Sequence, residues 1–255
     1  MPTSRNDKRE TEEYEMTTLE DKTLSSDVQA FIDKTTADAR LAFRVLRDTG
    51  TLSASRTLNF IERVPGENLV IAIDDPEPWA DVSTLSPAVV TFEGTVLSGT
   101  SAFGVTNFVP LFETHPEITT FAHVHTPYLG GWAQTHRIFP IRYAAAQRLT
   151  LSREIHPHVD RRGQGIDFIL QRLEEDPHAV GVFEGNGGAN VFGRDGLLET
   201  AKLILFLEEG AQFQILAEAA GGSQEFGPGT LHGQWKRTGL ADEAIRLGLI
   251  PSFLD

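Results

Sequence analysis

The chain has 255 residues, with 22 Lys and Arg against 36 Asp and Glu, for a formal net charge of −14. So acidic a chain repels phosphate backbones and anionic lipid, which argues against nucleic-acid and membrane-surface partners. The absence of any cysteine excludes disulfides, thiolate metal sites, iron–sulfur clusters and a cysteine nucleophile, so a metal site has to come from the eight histidines and the carboxylates.

Residues 1–25 are charged and poor in apolar side chains and are expected to form a disordered tail, with Met16 an alternative start. No signal-peptide pattern precedes them, and no apolar run approaches the ~18 residues of a membrane span. The chain therefore reads as soluble and cytoplasmic, with residues 26–255 as one domain. Ser26 is expected to cap a helix over 27–48, stopped by Gly50. Short β-rich runs at 58–64, 69–73 and 88–92, separated by Pro- and Gly-containing turns, predict antiparallel strands. A helical stretch near 107–114 precedes an apolar strand at 118–124 and a short helix after Pro127. A strand near 149–155, a helix over 166–174, a strand at 179–183, a long helix over 197–219 and short helices at 230–238 and 241–247 complete the chain. The alternation predicts a single α/β domain with a mixed, mostly antiparallel central sheet flanked by helices.

The most informative stretch is Phe121-Ala-His-Val-His-Thr-Pro-Tyr-Leu-Gly-Gly-Trp-Ala-Gln134. Residues i and i+2 of a strand share a face, so the imidazoles of His123 and His125 can bind one divalent metal where the strand opens onto a cleft. The other reading of the same spacing is two histidines on a solvated strand face. His115, His136, His178 and His232 have no partner spacing and are read as structural or exposed. The run at residues 185–190 fails the dinucleotide-loop spacing, because Asn190 stands where the third glycine belongs.

The His-x-His strand followed by Thr-Pro-Tyr resembles the class II aldolase/adducin family, which includes ribulose-phosphate epimerases and fuculose-phosphate aldolases. The resemblance extends from about Ala39 to Lys236. It implies the fold of that family, a divalent metal on His123 and His125, and a homotetramer with its active site at the subunit interface. The helices over 230–247 are then candidates to cover a neighbour's site. Tyr143 aligns with a tyrosine that the aldolases place in the active site, and Arg142 beside it is a candidate to hold a substrate carboxylate.

The departures from the family pattern are specific. The family's third metal-binding histidine falls at Gly187, and its acid/base carboxylate falls near Gly104, with no Asp or Glu from Ser98 to Phe112. Its phosphate-binding segment is replaced by Asp74-Asp75-Pro76-Glu77-Pro78, whose carboxylates repel a phosphate. His158, in the His156-Pro-His158 segment after the expected strand, and Glu184, three residues before Gly187, are candidate replacement ligands. Two histidines and a carboxylate suit non-haem Fe2+ with open positions.

The segment over 184–240 is similar to the iron oxygenase branch of aminocoumarin (clorobiocin and novobiocin) biosynthesis. The expectation drawn from this is an Fe2+- and O2-dependent oxidative decarboxylase of an aryl 2-oxo acid of 4-hydroxyphenylpyruvate type. The alternatives are a Zn2+-dependent aldolase- or epimerase-type lyase on a small hydroxy-carbonyl compound, and a non-catalytic adducin-like binding module.

Overall fold

The computed structural model describes residues 24–76, 78–80, 85–99, 104–160 and 165–254. The tail expected over 1–25 lies, through residue 23, outside the described residues. The elements in chain order are α1 (Ser26–Asp48), β1 (Leu58–Arg63), β2 (Leu69–Asp74), β3 (Ala88–Thr91), β4 (Val96–Ser98), a 3-10 turn (Val105–Phe108) leading into α2 (Val109–Thr114), β5 (Thr120–Val124), α3 (Pro127–Ala133), β6 (Phe139–Pro140), α4 (Ala144–Gln147), β7 (Glu154–His158), α5 (Gly165–Glu175), β8 (Gly181–Glu184), β9 (Ala189–Gly193), α6 (Leu197–Ala219), α7 (Pro228–Lys236) and α8 (Ala241–Arg246). The strands form one sheet in the order β4-β3-β2-β1-β5-β9-β8-β7-β6. β7 and β8 run parallel, and the other neighbours are antiparallel. This is an α/β domain with a mixed, mostly antiparallel central sheet flanked by helices, as the alternation of elements in the sequence predicts.

Alternation along the strands sorts the core into two layers. Phe60, Ile71, Ile73, Ala122, Val124 and Val191 point to one face and pack beneath α1, α3 and α6. Ile61, Val70, Ala72, Phe121, Val182 and Phe192 point to the other, beneath Leu111 and Phe112 of α2 and Ile166, Ile169 and Leu173 of α5. Among the described residues no helix is long and apolar enough to cross a membrane.

Local chemistry moves several predicted boundaries. The cap of α1 is Ser25, not Ser26: its hydroxyl accepts from the Val28 N–H at 3.2 Å. The strand expected over 149–155 begins only at Glu154, because residues 147–150 are held elsewhere. The buried Trp235 indole N–H donates to the carbonyls of Gln147 and Thr150 at 2.9 and 3.1 Å, which pins this segment to the C-terminal helices instead of a ladder. The His156-Pro-His158 segment is consequently strand, not the loop after one. β9 was not foreseen: Asn190 and Gly193 interrupt an otherwise apolar run of five.

One buried acid sets a pH dependence. Glu62 of β1 faces the α6 side, accepts the Thr120 hydroxyl at 2.5 Å and bonds the Leu197 backbone at the start of α6. Burial nevertheless pushes its carboxyl from 4.5 up to about 7. With the folded value above the unfolded one, the folded state binds this proton more tightly. Its contribution is fully present below pH 4.5 and is lost as the pH rises through about 7. The shift corresponds to about 3 kcal/mol. Glu62→Gln is therefore expected to be more stable than the parent by up to about 3 kcal/mol at pH 8 and equal to it near pH 4. Urea midpoints at the two pH values check this, and an equal difference at both would disprove the assignment.

Candidate metal centre

At one edge of the α5-side face the apolar pattern gives way to polar side chains. Asp74 is opposite Asn59, Asn59 opposite His123, and His123 opposite Asn190, across β2, β1, β5 and β9. Residues opposite one another in a ladder share a face, so the four form one transverse row beyond Ala72, Ile61, Phe121 and Phe192. The Asn59 side-chain oxygen accepts from the His123 backbone N–H at 3.1 Å.

The row fixes the chemistry of His123. Asn190 donates its side-chain N–H to Glu184 Oε1 at 3.2 Å and turns its oxygen to His123 Nδ1 at 2.8 Å. Nδ1 therefore carries the proton, and Nε2 keeps its lone pair. That Nε2 lies 3.1 Å from His125 Nε2. Two imidazole nitrogens each about 2.0–2.1 Å from one tetrahedral cation are about 3.3 Å apart, so the donor pair fits a divalent ion. Among the described residues no group of three His, Cys, Asp or Glu side chains is already gathered for a metal.

His125 is held by its backbone and by the close approach of Gly188. Its backbone N–H donates to the Thr57 carbonyl, and its carbonyl accepts from the Ser53 N–H, at 2.9 and 3.0 Å. A Cβ at position 188 would stand 2.4 Å from the His125 ring, so Gly188 is required for the ring to sit there. The next turn of chain is held by Glu208 of α6. This buried carboxylate accepts from the Thr126 hydroxyl at 2.6 Å and from the Tyr128 and Leu129 N–H groups at 2.7 and 2.8 Å, satisfying the open donors at the start of α3. Burial still raises its carboxyl above the ordinary value.

The turn between β8 and β9 carries the departure seen in the sequence. Asn186 takes a left-handed φ of 59°. A Cβ at position 187 would meet Glu184, 3.2 Å from its Cβ and 3.5 Å from Oε2, so Glu184 occupies the space where a residue-187 side chain would begin. Its Oε1 approaches His123 at the Nδ1 side of the ring, 3.9 Å away. His158 stands opposite Glu184 in the β7–β8 register, and its ring stacks on Phe168 at 4.8 Å. His156 pairs with Glu154 on the same strand. His136, read from sequence as structural or exposed, also has a left-handed φ and contacts Asn186 Oδ1 at 2.6 Å.

Tyr143 and Arg142 do not join this row. Tyr143 belongs to the α6 side of the sheet, packed edge-on to Phe213 at 5.1 Å. The Glu209 carboxylate that it hydrogen-bonds holds its phenol above the ordinary value. Within one chain it and His123 are thus on opposite faces. Arg142 Nη1 donates to both the carbonyl and the hydroxyl of Ser223 at 2.6 Å, with Glu225 3.7 Å from Nε. It ties the segment after α6 to the domain.

Beside the histidine pair runs a cleft of about 1000 Å³, lined by Ser55, Arg56, Asn59, Asp74, Trp79 and His123 among others. The acid expected to repel a phosphate is only partly there. Asp75 has a side chain with 0% exposure and accepts from Arg47 Nε at 3.0 Å, so its charge is neutralised inside the protein. Glu77 lies outside the described residues. Asp74 does face the cleft, and desolvation raises its carboxyl above the ordinary value.

The profile of the family described as Class II Aldolase and Adducin N-terminal domain matches residues 62–215. Comparison with curated protein sequences gives no match. Among solved structures, L-fuculose 1-phosphate aldolase superposes with a TM-score of 0.63 at 16% identity, covering 84% of this chain and 97% of that one. The L-fuculose 1-phosphate aldolase of Glaciozyma antarctica PI12 gives 0.62 at 17% identity, over 84% and 85% of the two chains. An aldolase II superfamily protein from Pseudomonas syringae gives 0.59 at 15% identity, over 89% and 96%. At these identities the likeness is one of fold.

Proposed function

The chain belongs to the class II aldolase and adducin family, and from that premise we propose that it is a metal-dependent lyase acting on a carbon–carbon bond next to the carbonyl of a small hydroxy-carbonyl compound. Class II aldolases use a divalent metal, typically Zn2+. The observation that carries the reading is the His123–His125 pair, with both Nε2 atoms within 3.1 Å and the tautomer of His123 set by Asn190. These two histidines would hold the cation. Glu184, from the position nearest the missing third histidine, reaches His123 from the Nδ1 side and would steady the ring through Asn190, with His158 opposite it in register. A divalent cation at the pair supplies positive charge to a substrate carbonyl oxygen.

The protein's own contribution is orientation. Asn190 and Asn59 hold His123, Gly188 and the segment at 53–57 seat His125, and Glu208 fixes the chain beyond it. Tyr143, on the other face, can reach such a site only in a neighbouring subunit. Class II aldolase relatives are often tetramers, and a homotetramer is proposed for this chain on that ground. An Fe2+-dependent oxidative decarboxylase finds no support in the comparisons, which favour the lyase reading. The adducin-like binding role would leave the ordered tautomer chain on His123 without a purpose.

Protein purified without chelator is expected to carry about one Zn2+ per chain and to release an aldehyde from small β-hydroxy carbonyl compounds. Oxygen uptake with an aryl 2-oxo acid after Fe2+ loading, with no aldehyde release under any metal, would overturn the proposal in favour of the oxygenase.

A further inference from the structure

A retro-aldol site needs an acid–base group, and the position where the family resemblance puts one is Gly104, whose φ of 78° suits a glycine. The cleft nevertheless holds a carboxylate, delivered by another strand. Asp74 ends β2 in the same transverse row as His123, with Asn59 between them. Two strand spacings, about 10 Å, separate the Asp74 and His123 backbones, which leaves room for a bound molecule of three to five carbons between the side chains. Both residues line the one cleft. Of the described acidic residues there, Asp75 is sealed against Arg47, which leaves Asp74 as the one that faces the open space. Arg56 is the other charged group of that wall.

Resting on the lyase reading above, we propose that Asp74 is the general acid–base residue of this site, in place of the carboxylate absent at Gly104. A β-hydroxy carbonyl substrate would lie between it and the histidine pair, with its carbonyl oxygen toward the histidines. The Asp74 carboxylate takes the β-hydroxyl proton. The bond between the α- and β-carbons breaks, its electron pair passing to the α-carbon to give an enolate, and the β-carbon leaves as an aldehyde or ketone. Asp74 then returns the same proton to the α-carbon, so no oxidant, reductant or further proton is needed. Desolvation at the cleft wall raises the Asp74 carboxyl, the direction that makes a carboxylate a better proton acceptor. The residue was first read as an obstacle to phosphate; its place in the row gives it a positive role.

The test is the reverse half-reaction, read as exchange of α-protons for deuterium in hydroxyacetone, dihydroxyacetone and pyruvate by proton NMR, with Zn2+-replete protein. Occupancy of the cleft is read separately. Trp79 is 93% exposed, whereas Trp132 and Trp235 are 2% and 0% exposed, so iodide quenches chiefly Trp79 and a molecule in the cleft shields it. Asp74→Asn is expected to lower exchange by about 100-fold or more, with the same probe concentration still half-protecting Trp79. Asp74→Glu should recover part of the rate. Exchange by Asp74→Asn within about threefold of the parent would overturn the role of Asp74 and leave the lyase reading standing. Absence of exchange in the parent with all three probes would overturn the lyase reading itself, and the role of Asp74 with it.

Discussion

Replacing His123 by alanine is expected to lower turnover by about 1000-fold or more and to leave the protein with under about a tenth of its metal. One imidazole of a two-imidazole pair would remain, and Glu184 and Asn190, which now bear on the Nδ1 side of the lost ring, would have nothing to orient. The fold should survive, because the His123 side chain is partly exposed near the end of the central strand β5 and the apolar layers beneath it are untouched. Stability in urea is expected within about 1 kcal/mol of the parent. Asn190→Ala keeps both imidazoles but frees the tautomer, and should weaken metal affinity by about 10–100-fold. Metal content by elemental analysis, set beside aldehyde release, checks both variants. Full metal content in the alanine variant would show that the cation is held elsewhere.

Arg47→Met is expected to cost about 3–5 kcal/mol of stability, the largest effect foreseen away from the site. Arg47 leaves the last turn of α1 and meets Asp75 just beyond β2. The Asp75 side chain has 0% exposure against 33% for Arg47, so removing the cation strands a carboxylate that water cannot reach. Methionine keeps most of the apolar stem, so the loss reports the missing charge more than missing packing. A stranded buried acid relieves its cost by taking up a proton, so the deficit should shrink as the pH falls. Urea denaturation at neutral and acidic pH measures both the size and the trend. A loss under about 1 kcal/mol would mean that the pair behaves as an exposed one. Because Asp75 adjoins Asp74, the same variant should also increase the mobility of the cleft wall that carries Trp79.

The elements that the sequence foretold are those whose apolar spacing is long and regular. The 3.6-residue stripe of α1 and the apolar Leu203–Leu207 run of α6 are legible from residue types alone, as is the strand that leads into His123 and His125. β9 and β7 are not. Each has polar or proline residues at inward positions, and those positions are where the site is built. Asn59 and Asn190 each interrupt an apolar strand. Glu208 sits on the buried side of α6 between Ile204 and Ala211. A polar residue at a core position was the available signal for all three, and it pairs with nothing until the sheet order is known. The reach of Arg142 and the burial of Asp75 were illegible for the same reason: their partners, Ser223 and Arg47, are 81 and 28 residues away. The two-His spacing was readable because both candidate ligands belong to one short stretch, His123 on β5 and His125 just past its end. A third donor or an acid–base group supplied by another strand depends on register.

The transverse row has a kinetic meaning. The contacts that make it are remote in sequence: His123 meets Asn59 across 64 residues and Asn190 across 67. Each requires closing a long loop before any stabilisation is returned, which places these pairings late in folding and makes them slow to form. The hairpin of β1 and β2 and the helices on either side can gather locally first. Any intermediate along the way would therefore hold the histidines without their orienting partners. On the proposed function, metal capture is then expected to follow completed folding rather than to aid its early stages.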